Sequence, residues 1–165
     1  MEKSSRAATG RGRRVAASKD AIALLKADHR QVEKWFKEFE KARLASRKKA
    51  LAAQICGALR AHTTIEEEIF YPAFLAATED EDTHHEAEVE HDGAKKLIAV
   101  IEGSGPEDEY YDARVTVLSE MIKHHVKEEE QPGGMFAKAR KSDMDLESLG
   151  ERMQARKAQL ERRDA

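Results

Sequence analysis

Residues 55–72 read ICGALRAHTTIEEEIFYP. At helical spacing Ile55, Leu59, His62, Glu66 and Ile69 share one face, so a stripe that begins apolar turns ionisable at His62. A second stretch, His125-Val-Lys-Glu-Glu129, repeats the His-x3-Glu unit in phase with Leu118, Met121 and Ile122. Residues four apart on a helix stack one turn above the other, so each unit aims an imidazole and a carboxylate in the same direction. Burying such groups is costly unless a partner or a metal compensates, which makes the pair of units a candidate metal site.

Two further histidines lie in apolar stripes. From Asp20, an N-cap residue, Ile22, Leu25, His29, Val32, Phe36 and Phe39 predict a first helix to about Ala45. The second helix follows Ser46, with Pro72 expected to kink or close it. Thr83-His-His-Glu86 has the form of a capping box that opens a third helix through Val89, His91, Ala94, Ile98 and Ile101, stopped by Gly103-Ser-Gly-Pro106. The fourth helix carries His125 and Glu129 and ends at Pro132-Gly-Gly134. Ser142 or Asp143 caps a last helix with Leu146, Leu149, Met153 and Leu160 in a narrow stripe. The expected fold is all-α: four helices facing one another over residues 19–140, preceded by a disordered basic tail over 1–18 and followed by a short additional helix over 141–165 docking on them.

Phase also decides which of the tandem residues face inward. Three, four and seven residues before His125 stand Ile122, Met121 and Leu118, whereas the same offsets from His124 include the charged Glu120. His125 and Glu129 therefore face the core. His124, Glu67, Glu68, Glu128 and Glu130 are assigned to solvated faces or to contacts behind the ligands. His84 and His85 read as exposed residues of a first helical turn. Glu88, three residues before His91, is a further candidate for the pocket.

Composition narrows the function classes. The chain has 165 residues, 37% charged and 5% aromatic, with a formal net charge of -3, which suits one helical domain and gives no case for nucleic acid. One cysteine, Cys56, excludes an intrachain disulfide framework, and with no secretion signal the expected location is cytoplasmic. No apolar run approaches a membrane span. No phosphate loop, nucleophile triad or dinucleotide fingerprint is present.

Asp28-His29-Arg30, His62-x3-Glu66 with Ile69-Phe-Tyr-Pro72, Glu90-His91-Asp92 and His125-x3-Glu129 with Met135-Phe136 together resemble the haemerythrin-like HHE cation-binding domain over about residues 20–140. The resemblance implies an up-and-down four-helix bundle holding a non-haem di-iron centre that reacts with dioxygen. In it His29, His62, His91 and His125 would be terminal ligands, and Glu66 and Glu129 would bridge two iron ions. Zinc and manganese come second, since imidazole and carboxylate ligands suit them too. The animal oxygen carriers of that family place two histidines one turn apart on the third helix. Here Ala87 and Lys95 flank His91 at that spacing, so one imidazole is missing. The expected partner is dioxygen, nitric oxide or a peroxide, in oxygen or redox sensing, stress defence or iron handling, with weak peroxide or oxygen consumption as the enzymatic form. The alternative is a metal-stabilised regulatory module without redox turnover.

Overall fold

A computed structural model describes residues 20–164. The basic tail expected over 1–18 lies outside them. The described residues are all-α, in the order α1 (Ala21–Lys41), α2 (Ala45–Ile65), a π-helical turn (Glu66–Phe70), α3 (Tyr71–Thr78), α4 (Glu81–Glu102), α5 (Tyr111–Glu130), α6 (Met135–Lys141) and α7 (Leu146–Arg163). Each of α1, α2, α4 and α5 packs on its chain neighbour, and α1 meets α5 to close the bundle. Helix α7 lies against α1, α2 and the π turn. Among the described residues no helix is long and apolar enough to cross a membrane.

Local chemistry sets the boundaries. Asp20 caps α1 by accepting from the Ala23 amide at 2.8 Å. Helix α4 starts two residues before the expected capping box: Asp80 Oδ1 accepts from the Thr83 amide at 3.2 Å and its Oδ2 from the Thr83 hydroxyl at 2.7 Å. Thr83 is thus the residue being capped. The last helix is capped by Asp145, accepting from the Ser148 amide at 3.1 Å, and not by Ser142 or Asp143. The expected end of α1 near Ala45 is corrected to Lys41.

Pro72 does not close the second helix. Tyr71 donates its amide to the Glu66 carbonyl, five residues back, and α3 then continues to Thr78. One extra residue in the turn relieves the clash and the lost donor that a proline imposes on an α-helix. It also rotates the downstream face: Tyr71 and Phe74 are fully buried while Ile69, expected inward, is only partly so.

The core forms two apolar clusters with the ionisable residues between them. One gathers Phe36, Phe39, Leu51, Ile55, Leu59, Ile98, Val115 and Leu118. The other gathers Ile22, Leu25, Ile65, Phe70, Phe74, Met135, Phe136 and Met153. Helix α6, absent from the sequence-based reading, supplies Phe136, which stacks on His29 at 5.9 Å between ring centres. Cys56 is buried in the first cluster, and burial pushes its thiol up to about 12, which disfavours the reactive thiolate.

Candidate metal centre

His29 from α1, His62 from α2, Glu66 from the π turn, His91 from α4 and His125 with Glu129 from α5 converge between the two clusters, all buried. They fall into two overlapping donor sets: His29, His62, Glu66 and Glu129, and Glu66, His91 and His125. Glu66 belongs to both. Its Oε1 pairs with His62 Nε2, while its Oε2 lies 3.9 Å from the Nε2 atoms of His91 and His125. Glu129 Oε1 likewise stands between His29 Nε2 at 3.2 Å and His125 Nε2 at 3.1 Å.

The donor atoms fit a metal better than they fit one another. His29 Nε2, His62 Nε2, both oxygens of Glu66 and Glu129 Oε1 are buried with no hydrogen-bond partner. Native interiors seldom leave so many polar atoms unpaired in one place. A cation would satisfy them together.

Behind every imidazole stands a carboxylate from a different helix. His62 Nδ1 donates to Asp28 of α1 at 3.0 Å, and His29 Nδ1 to Glu130 of α5 at 2.7 Å. His91 Nδ1 faces Glu67 of the π turn, and His125 Nδ1 faces Glu90 of α4, each at 3.6 Å. The four contacts close a ring: α1 serves α2, the turn after α2 serves α4, α4 serves α5, and α5 serves α1. Asp28 and Glu130, in hydrogen-bond contact, fix the orientation of their rings and raise the basicity of the nitrogen aimed inward, while Glu67 and Glu90 stand beyond hydrogen-bond reach and act through their charge. Lys157 of α7 extends one of these pairs, donating to Asp28 Oδ1 at 2.6 Å. Asp28→Asn is expected to weaken metal affinity about 10–100-fold while leaving the helical content intact, measured by competition with a chelator of known affinity. Unchanged affinity would show that Asp28 does not orient His62.

Protonation follows the same contacts. Burial pulls His62 down, but Glu66 and Asp28 overcome it and hold the ring near a pKa of about 10. His125 is also burdened by burial and lifted well above the ordinary histidine range by Glu129 and Glu90. Burial pushes His91 down to about 3, with His125 and His62 adding to the effect against the pull of Glu66. A metal must therefore displace protons held at neutral pH by His62 and His125, so affinity rises with pH. Calorimetry at pH 7 in buffers of different ionisation enthalpy should show release of about two protons per chain; pH-independent binding would contradict this. In the metal-free protein the His62 contribution to stability is present below 6.5 and lost as pH rises toward about 10.

Glu88 is not part of this centre. It is exposed and lies 3.5 Å from His84 Nε2. The inward stripe of α4 runs through Ala87, His91, Ala94, Ile98 and Ile101, and its drift puts Glu90, not Glu88, on the flank that meets the pocket. The sequence-based reading missed Tyr71. Its hydroxyl lies 3.0 Å from His91 Nε2 and 3.4 Å from His125 Nε2, and donates to Glu129 Oε2 at 3.4 Å. It is fully buried. The only sequence signal was its adjacency to Pro72. His84 is half-buried, not exposed, with its ring edge-on to Tyr71, whereas His124 is exposed.

The family model for the hemerythrin HHE cation binding domain matches residues 14–133. The fold is similar to the crystal structure of a hemerythrin HHE cation binding domain-containing protein from Mycobacterium kansasii, the Rv2633c homolog, with a TM-score of 0.71 and 25% identity over 86% of this chain and 87% of that one. No curated protein matches the chain.

Proposed function

The chain belongs to the hemerythrin HHE cation binding domain family, and on that footing we propose that this metal-binding helical bundle holds a non-haem di-iron centre that binds or reacts with dioxygen, nitric oxide or a peroxide. The carrying observation is Glu66, a fully buried carboxylate whose two oxygens turn toward different donor sets. A carboxylate shared in this way offsets the repulsion between two cations held side by side. His29, His62 and Glu129 would hold one ion, and His91 and His125 the other, with Glu66 between them. Two iron ions, when bound, supply reversible one- and two-electron chemistry.

The chain's own residues define what can reach that chemistry. Beside the histidines a cavity of about 20 Å³ is walled by Val32, Leu59, Ala94, Met121 and Ile122. Such a space admits a diatomic or water-sized molecule and little else. Tyr71 holds its proton at the phenolic oxygen in the metal-free protein, because burial and the nearby Glu129 and Glu66 raise its pKa well above 10. A trivalent cation, when bound, would favour the phenolate, a hard anionic donor that Tyr71 could supply. Such a donor would favour the oxidised state, which suits sensing oxidants or consuming peroxide over reversible carriage.

Metal analysis with visible spectroscopy on protein purified without oxygen tests the proposal. About two iron ions per chain and a spectrum that changes on oxidant exposure are expected. One zinc per chain from iron-replete cells would overturn it. A second reading, a metal-stabilised regulatory module, draws on the contact from Lys157 through Asp28 to His62, which ties α7 to a ligand. Zinc-loaded protein that behaves in every assay as the iron form does would favour that reading.

A further inference from the structure

The centre can be reached from a second side. Under the Pro132–Gly134 turn lies a cavity of about 100 Å³ walled by Glu86 and Glu90 of α4, Glu128 of α5 and the turn itself. Its floor is His125 and Glu129, 6% and 1% exposed, and His125 Nδ1 and Glu129 Oε1 have no hydrogen-bond partner. We propose that this acidic vestibule is the route by which a hydrated divalent cation enters the centre, an inference that rests on the metal-binding reading of the site.

The chemistry of the two cavities separates their roles. The first cavity also reaches the four histidines and Glu90, but at about 20 Å³ it is too small for a cation that keeps its waters. The vestibule has room for roughly three waters and offers carboxylate oxygens along its length. Lys138 is engaged at the rim, donating to Asp80 at 2.6 Å and Thr83 at 3.1 Å. Glu86 and Glu128 enter no ion pair among the described residues. The turn above it requires glycine. Gly133 has a φ of +76°, and a Cβ on Gly134 would lie 2.5 Å from the Glu128 carbonyl. A cleft lined by one sign of charge concentrates counter-ions and accelerates their capture.

The test is stopped-flow uptake of Co²⁺ by the metal-stripped full chain, followed by its visible absorption. The double variant Glu86→Gln, Glu128→Gln should take up the ion about tenfold more slowly, with a flatter dependence on salt, yet reach the same final occupancy. Glu109→Gln, exposed in the loop at the opposite end of α4 and α5, should keep the wild-type rate. Equal rates in the double variant and the wild type overturn the vestibule and leave the centre standing. Reduced final occupancy also overturns it, since the carboxylates would then be ligands. A wild type that takes up no Co²⁺ overturns both the vestibule and the metal centre.

Discussion

Glu66→Ala is expected to abolish metal retention altogether. Even carboxylates behind a ligand are worth about 10–100-fold in affinity, and Glu66 serves both donor sets, so its loss should cost more than about hundredfold. The stability readout is equally large. A ligand present at about a thousand times its Kd adds about 4 kcal/mol, which in a domain of this size raises Tm by roughly 10 °C. Chelation should therefore lower the Tm of the wild type by about that amount and leave Glu66→Ala unmoved. His124→Ala, altering an exposed ring beside the site, should keep the wild-type response. Full metal content in Glu66→Ala would exclude a shared carboxylate.

Tyr71→Phe carries the second large effect. The substitution keeps the buried ring in the apolar cluster and deletes only the hydroxyl that meets His91, His125 and Glu129. If the phenolate is a donor, the oxidised iron protein should be coloured by a phenolate-to-metal transition that Tyr71→Phe removes while iron content stays near the wild-type level. The variant should also be easier to reduce, since a hard anionic donor has been withdrawn from the oxidised state. An unchanged visible spectrum and potential would leave Tyr71 as a hydrogen-bonding residue only.

How far the sequence revealed this arrangement depended on whether periodicity held. His29, His62, Glu66, His91, His125 and Glu129 were legible because each interrupts an apolar stripe on an α-helix of regular period, and the structure brings these residues into one interior. Choosing His125 over His124 needed only the residues one and two turns earlier. The reading fails at Tyr71, because a π turn advances the face by one residue and a regular period cannot anticipate the shift. Glu88 misled because it sits three residues before His91, a spacing that fits the stripe's edge equally well on either flank. Asp28, Glu67, Glu90 and Glu130 act across helix boundaries, so no spacing within one helix announces them. The four bundle helices follow from strong stripes, but the caps at Asp80 and Asp145 were obscured by competing Thr, Ser and Asp residues nearby.

The ring of carboxylates behind the histidines makes the bundle a test of its own assembly. Asp28, Glu67, Glu90 and Glu130 each stand behind an imidazole on another helix, so a helix that slips by one turn loses its own histidine's carboxylate and withdraws one from the next. The fault then appears at two ligands on two different helices. Binding should reward only the arrangement in which all four helices agree, so that cation capture acts as a final check on folding. Once loaded, α1, α2, α4 and α5 should open to solvent as one unit in hydrogen exchange, with no single helix fraying ahead of the rest.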